Sequence, residues 1–134
     1  MTSFERRKTT RRADDARYAE DLSKRYEFLL RHTNDIILAV RYSDRKILEA
    51  STAALEAYEY SMEELKSMTI DDLNEAGLQE QIVPRTDRSF ANTVVFETIH
   101  RKKDGRTFPV EISSQGAVLG KDRILLSIVR DLSR

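Results

Sequence analysis

The spacing of hydrophobic residues changes once along the chain, near residue 33. Before that point, apolar residues recur every three or four positions, which is typical of one face of a helix. After it, short β-branched runs alternate with turn residues, which is typical of strands. The helical stripe consists of Ala19, Leu22, Tyr26 and Leu29. The pattern predicts an N-terminal amphipathic helix over residues 1–31 and an α+β domain over residues 32–134.

The N-terminal segment is rich in charge and contains no glycine or proline. Helix-favouring residues begin at Ala13, and the stripe must pack on something because an isolated helix of this length is marginal in water. Two partners remain open: the chain's own domain, or the same helix of a second chain. The basic cluster is interpreted as a solvated terminus rather than a phosphate-binding arm. It consists of Arg6, Arg7, Lys8, Arg11 and Arg12.

The first part of the domain is predicted to be a hairpin followed by short helices. Residues 35–40 and 46–50 form two β-branched runs around a turn at 42–45. Ser51 can cap the helix that follows, and Ser61 with Glu64 forms a capping box for another. Two further short helices are predicted, one starting at Asp71 and Asp72 and one within 77–91, closed by Pro84.

The last third predicts three antiparallel strands, over 93–102, 108–112 and 123–129. The pair Asp104-Gly105 supplies the residues of a tight primed turn between the first two. Pro109 has no N–H, so its strand must lie at an edge or direct the missing donor away from its partner. The order of elements predicts one antiparallel sheet of five strands, with short helices on one face and the N-terminal helix across the other.

Composition excludes several functions. Lys+Arg and Asp+Glu both total 23, so no net field attracts nucleic acid or anionic lipid. There is no cysteine, which excludes disulfides and thiol chemistry. The apolar runs are about five residues long, whereas a membrane span needs about 20. These features predict a cytoplasmic domain with no membrane span.

No grouping of residues suggests catalysis. His32 lies at the helix–strand junction and His100 near the end of a strand, so both are predicted to be exposed. Neither has a second ligand at metal spacing, and Asp71 with Asp72 is interpreted as helix-start charge. The four glycines are scattered and form no phosphate loop. We therefore predict no enzyme activity and no metal.

Five motifs in order resemble the PAS domains, also called sensory boxes. They are NDIILAV (34–40), RKILEA (45–50), YSMEEL (60–65), FETIHRKKDGRTFPV (96–110) and IVRDLS (128–133). Three positions depart from the family's pattern: Ser51 stands where the family has Asn, Glu59 where it has Gly, and the first hairpin has no Asp-Gly turn. The resemblance implies a sensory module of a larger bacterial signalling protein, which acts on an effector such as a histidine kinase or diguanylate cyclase.

The resemblance also implies a pocket between the sheet and the short helices. Two interpretations remain open, a ligand pocket and a filled core. Tyr58 is the most informative lining residue, because a buried hydroxyl needs a partner, whether a ligand or a backbone carbonyl. The lining implied by analogy is Leu38, Leu55, Tyr58, Leu73, Leu78, Ile82, Val95, Phe108, Val110, Leu126 and Ile128.

Cofactors follow from the same resemblance. A cysteine-adduct flavin is excluded because the chain has no cysteine. Haem is not expected, because residues 72–91, where relatives carry the haem histidine, contain none. No cofactor is predicted, while a small metabolite or a non-covalent flavin stays open as a ligand.

The end of the chain resembles the junction to an effector, formed by Arg130, Asp131 and Ser133. In the family the aspartate pairs with a basic residue; alternatively, Asp131 caps the next helix. The resemblance implies a homodimer that relays a signal to that effector. The alternatives are a ligand-free protein–protein interaction module and, third, a small α+β enzyme for which no acid–base pair is found.

Overall fold

The computed structural model describes residues 3–75 and 93–133, and side chains from residue 13 onward within those ranges. The order of elements agrees with the sequence-based expectation. Helix α1 is followed by two strands, two short helices and a 3₁₀ turn, and then by three strands. The bounds are α1 Ser3–His32, β1 Ile36–Arg41, β2 Ile47–Ala50, α2 Thr52–Tyr58, α3 Met62–Lys66, the 3₁₀ turn Ile70–Leu73, β3 Val94–Arg101, β4 Thr107–Leu119 and β5 Asp122–Asp131.

The five strands form one antiparallel sheet in the order β2-β1-β5-β4-β3. The first hairpin is joined to the second through β5, which lies in the centre and pairs with both β1 and β4. This confirms the predicted α+β fold with a five-stranded antiparallel sheet. The predicted short helix within 77–91 lies outside the described residues.

Alternation along the strands separates an inner face, which meets the short helices, from an outer face. On β5, Leu125, Ser127 and Val129 are buried, while the intervening Leu126 and Ile128 are exposed. The inner face and the short helices enclose one hydrophobic core. Its most deeply buried apolar members are Leu38, Val40, Ile47, Ala50, Ala54, Tyr58, Leu65, Leu73 and Val110.

Helix α1 begins at Ser3, ten residues before the predicted start at Ala13. Its C-terminal turns pack beside α2 and border a cleft whose other wall includes Glu49 of β2 and Met62 of α3. Leu30 is the buried side chain of this contact. The helix therefore meets the β2 end of the domain and does not cover the whole outer face, where Leu126 and Ile128 stay exposed.

Ser51 connects β1 to α2 through one buried hydroxyl. Its Oγ accepts hydrogen bonds from the N–H of Ala54, at 3.3 Å, and of Ile37, at 2.9 Å. The same hydroxyl donates to the carbonyl of Asp35, at 2.8 Å. The predicted cap is confirmed, and it also satisfies backbone groups of the neighbouring strand, which a simple cap does not do.

Replacing Ser51 by Ala should lower the free energy of unfolding by about 2–3 kcal/mol. Loss of a cap costs about 1 kcal/mol, and an unpaired backbone N–H in a buried place adds a similar amount or more. Urea unfolding measures the change. Ser61→Ala is the matched control, because Ser61 is exposed and its side chain caps α3 through the N–H of Glu64. Equal losses in the two variants would contradict this role of Ser51.

Glu59 ends α2 in the left-handed conformation, with φ of 65°. Glycine adopts this conformation most readily, and a side chain there is normally disfavoured. The side chain pairs with Arg106, Oε1 to Nη2 at 2.8 Å, and so reaches the β3–β4 turn. Gly105 in that turn has a φ of 92°, whereas the φ of Asp104 is not positive. A primed turn centred on Asp104-Gly105 needs a positive φ at Asp104, so the turn is present but its predicted primed type is wrong.

The two predicted helix starts are also present. Ser61 and Glu64 form the reciprocal capping box. Asp72 accepts a hydrogen bond from the N–H of Thr69, at 2.9 Å. Asp71 pairs with Arg45 of the first hairpin, at 2.8 Å, so the carboxylates at this start have structural partners. The interpretation of Asp71 and Asp72 as helix-start residues is confirmed.

Pro109 lies on β4, which has neighbours on both sides, so of the two predicted arrangements the edge strand does not occur. The second alternative holds. On the side of β3, Pro109 is opposite Ile99 in a non-hydrogen-bonded pair, which needs no N–H from the proline. On the side of β5, the carbonyl of Pro109 accepts a hydrogen bond from the N–H of Leu132, at 2.9 Å. The missing donor therefore faces the chain just beyond the end of β5.

Candidate functional site

The inner face carries a buried polar pair, Tyr58 and His100. The hydroxyl of Tyr58, at the end of α2, lies 2.7 Å from Nδ1 of His100 on β3. Both side chains have no solvent exposure. The prediction that His100 is exposed is therefore wrong. It pairs across β3–β4 with the inward-facing Phe108, which places it on the inner face.

Burial controls the charge of this pair. It lowers the pKa of His100 to about 4, because the imidazolium loses its hydration and gains no counter-ion. Burial also raises the pKa of Tyr58, and the carboxylate of Asp131 adds to that rise. At neutral pH both groups are uncharged, so their contact is a hydrogen bond between neutral partners.

Asn74 is the third buried polar side chain of this region and follows the 3₁₀ turn. Its amide nitrogen donates to the carbonyl of Ile70, at 3.1 Å. Asn74 and His100 form an isolated antiparallel bridge, in which the N–H of Glu75 donates to the carbonyl of Ile99. In that pattern the two bridged residues are a non-hydrogen-bonded pair, whose side chains lie close together on one side.

Two atoms of this cluster have no hydrogen-bond partner within the described part of the chain, Nε2 of His100 and Oδ1 of Asn74. Both residues are completely buried. Unpaired buried polar atoms cost free energy and are uncommon in native proteins. The Tyr58–His100–Asn74 cluster is therefore the candidate functional site on the inner face.

Aromatic rings surround the pair. The ring of Phe108 lies 5.6 Å from that of Tyr58 and meets the ring of His100 edge-on at 6.4 Å. Nζ of Lys102 lies 5.6 Å from the centre of the Phe108 ring, on the way to solvent. These contacts hold both polar side chains in defined orientations.

The pocket lining implied by analogy divides into three groups. Leu38, Tyr58, Leu73, Phe108 and Val110 are buried on the inner side, and Leu55 is half-buried. Leu78 and Ile82 lie outside the described residues. Whether the inner group encloses a ligand pocket stays a prediction.

The remaining three lining residues require a correction. Val95, Leu126 and Ile128 are 58%, 37% and 45% exposed. These side chains lie on the outer face of the sheet. Val95 and Ile128 are both opposite Ser113 of β4, and the positions next to them along each strand face inward. Strand parity thus excludes them from a pocket on the inner face. The inner positions of β5 are Leu125, Ser127 and Val129.

The predicted junction lies at the end of β5. Arg130 pairs weakly with Glu111, at 3.5 Å. The carboxylate of Asp131 accepts from the N–H of Ser133, at 2.8 Å, and in the described ranges no Lys or Arg forms an ion pair with it. A backbone N–H, rather than the expected basic residue, is therefore its partner there.

The predicted dimer helix presents its stripe to solvent. Leu22, Tyr26 and Leu29 are 44%, 37% and 64% exposed, and Ala19 is exposed as well. Burial and the nearby carboxylate of Glu49 raise the pKa of Tyr26, which borders the domain. In the described part of the chain, Tyr26 and Leu30 line the cleft between α1 and the domain, whereas Ala19, Leu22 and Leu29 are exposed.

His32 ends α1 as an exposed residue, as predicted, and its ring lies 4.3 Å from that of Phe28. The described residues include no grouping of three or more His, Asp or Glu side chains suited to a metal ion. Among the helices described, none has the length and apolarity needed to cross a bilayer.

Comparison with known proteins assigns the family. The family model described as "PAS domain" matches residues 34–134, and the chain belongs to that family. No protein with a curated description matches the sequence.

Several solved structures share the fold. The PAS domain of a two-component sensor histidine kinase is 23% identical, with a TM-score of 0.74, covering 84% of this chain and 98% of that one. The PAS domain of a Desulfitobacterium hafniense protein is 26% identical, with a TM-score of 0.70 and coverages of 78% and 98%. That of an HTR-like protein from Haloarcula marismortui is 22% identical, with a TM-score of 0.76 and coverages of 90% and 99%.

Proposed function

We propose that this chain is the non-enzymatic input module of a cytoplasmic signalling protein, which dimerises through α1 and relays a signal to an effector such as a histidine kinase or diguanylate cyclase. Membership of the PAS family carries the proposal. One similar structure is described as the PAS domain of a two-component sensor histidine kinase, which supports this class of effector.

Dimerisation is supported by the exposed stripe of α1. Apolar side chains that are clustered and exposed indicate an interaction surface. Leu22 and Leu29 lie four and three positions from Tyr26, so the three residues form one continuous strip on the helix. A second copy of the helix would cover this strip by packing of the kind seen in short coiled coils.

Relay is supported by the position of the junction. Asp131 lies at the end of the central strand β5, which contacts both halves of the sheet. A shift of the sheet would reach the segment that follows through this strand. The carboxylate holds the N–H of Ser133, so it fixes the direction in which the chain leaves the sheet.

The alternative is a ligand-free protein–protein interaction module. The outer face supports it, because apolar side chains there are exposed in the described structure: Val95, Ile99, Leu126 and Ile128. The unpaired atoms of His100 and Asn74 favour the sensor, since an interaction module has no use for unsatisfied polar groups in its core.

Replacing Asp131 by Ala in the signalling protein should make effector output independent of the input state. The free energy of unfolding should change by less than about 0.5 kcal/mol, because Asp131 is exposed. Effector activity and urea unfolding measure the two effects. Asp122→Ala is the matched control, an exposed carboxylate at the opposite end of β5. Output that Asp131→Ala leaves fully regulated would contradict the relay.

A further inference from the structure

We propose that His100 and Asn74 bind a small uncharged molecule that accepts one hydrogen bond and donates another, as a primary carboxamide does. The inference rests on the proposed sensory function and gives the chemical class of the ligand. It is carried by the two unpaired buried atoms, Nε2 of His100 and Oδ1 of Asn74.

The proton positions follow from the hydrogen bonds. Tyr58 has one recorded partner, Nδ1 of His100, and the phenol is protonated. If the hydroxyl donates to Nδ1, both groups are satisfied by a single bond. Nε2 then carries the ring proton of the neutral imidazole and is a donor. The opposite tautomer would leave the hydroxyl proton of Tyr58 without an acceptor among the described residues.

Asn74 supplies the complementary group. Its amide nitrogen donates to the carbonyl of Ile70, which leaves Oδ1 as the free acceptor. His100 and Asn74 are bridge partners of the close type, so their side chains lie next to each other. A donor and an acceptor are therefore adjacent, both buried and both unused. A carboxamide satisfies them together: its C=O accepts from Nε2–H and its NH₂ donates to Oδ1.

The charge of the surroundings selects a neutral guest. Neither Tyr58 nor His100 is charged at neutral pH, so a charged ligand would lose its hydration without gaining a counter-ion. The carboxylate of Asp131 acts on Tyr58 from the end of β5, which disfavours an anion further. A carboxylate ligand also lacks the donor that Oδ1 of Asn74 requires.

Acetamide and acetate provide the test, since they share their size and differ in charge and donor. The isotope-labelled 134-residue chain is titrated with each, and NMR follows the ring of His100 and the side-chain amide of Asn74. We expect saturable shifts of both signals with acetamide, at a Kd of about 1–50 mM given only four non-hydrogen atoms. Acetate should produce none at these signals.

Two variants make the test specific. Asn74→Leu should weaken acetamide binding at least about tenfold, because one hydrogen bond is lost and Nε2–H alone remains. Ser114→Ala is the matched control: it removes a buried hydroxyl that already has a partner, Ser127 at 3.0 Å, and should leave the Kd unchanged. Should Asn74→Leu not fold, the comparison of acetamide with acetate in the original chain decides the matter.

Three results would overturn the proposal: no saturable shift with acetamide up to about 100 mM, equal binding of acetate, or a direct Nε2–H to Oδ1 hydrogen bond across Asn74 and His100. A water molecule that contacts both groups and is not displaced by acetamide would overturn it as well. None of these results bears on the dimer or on Asp131, so the proposed input function is tested separately.

Discussion

Lowering the pH from 7 to 4 should reduce the free energy of unfolding by up to about 3 kcal/mol through His100 alone. The pKa of this residue is about 4 in the folded chain, against 6.5 for an ordinary histidine. Between these values the unfolded chain binds a proton that the folded chain does not. Each pH unit of that interval is worth about 1.4 kcal/mol.

The sign follows from the burial. The imidazole lies neutral in the core, so stability is complete above pH 6.5 and falls as the pH decreases towards 4. Below that value His100 is protonated in both states and contributes no further change. Urea unfolding at half-unit intervals from pH 7.5 to 4 gives the curve.

Carboxylates contribute to acid unfolding as well, so variants are needed to isolate His100. His100→Asn keeps a polar group near Tyr58 but does not titrate, and it should remove most of the loss between pH 6.5 and 4.5. His32→Asn is the matched control, because His32 is exposed at the end of α1. If both variants retain the original pH dependence, the buried neutral state assigned to His100 is wrong.

Leu29→Asp should weaken the proposed dimer at least about 100-fold. In a symmetric helix pair the substitution removes two buried leucines and places two carboxylates in the seam. Each buried leucine side chain is worth about 1.5–3 kcal/mol, and 100-fold corresponds to about 2.8 kcal/mol. Sedimentation equilibrium across a range of concentrations measures the change.

Phe28 provides a control that is matched in most respects. It is the preceding residue of α1 and is 61% exposed, against 64% for Leu29. It lies about 100° away around the helix and off the stripe, so Phe28→Asp should leave the dissociation constant within about threefold. Because both side chains are exposed in the single chain, neither variant should unfold the domain.

The outcomes separate three arrangements. Loss of the dimer in Leu29→Asp alone supports pairing through the stripe. Loss in Phe28→Asp alone would move the interface to the neighbouring face of α1 that carries Phe28, and a monomer in the original chain would contradict dimerisation altogether. Retention of the dimer in both variants would direct attention to the outer face around Leu126 and Ile128.

The sequence was sufficient for the order and type of the elements because each carries a local signal. The Ser61–Glu64 capping box and the Asp104-Gly105 turn act over three or four residues, and such short-range chemistry is visible in a sequence. Pro109 left two arrangements open in the sequence, an edge strand or a donor turned away from the partner, because the position of a strand in a sheet depends on partners distant in the chain.

The site was predicted less well than the fold. The position of His100 next to a basic turn predicts exposure, and this prediction is wrong. The turn near Asp104 sets the register of β3 and β4 and places His100 opposite the buried Phe108, so the register is a signal that the sequence already contains. Val95, Leu126 and Ile128 were assigned to the wrong face because consecutive apolar residues on β3 and β5 hide the alternation. The local sequence around Asn74 does not indicate its burial, since a buried asparagine and an asparagine that merely ends a helix look the same in a sequence.

Pro109 weakens the pairing between β4 and the segment that leaves the sheet after β5. Paired residues of the hydrogen-bonded type normally exchange two bonds, but Pro109 can only accept, so Leu132 is held by the single bond from its N–H. The segment after Asp131 can thus separate from β4 by breaking one bond while the ladder behind it stays closed. Pro109 therefore determines the point at which the exit segment separates from β4 first.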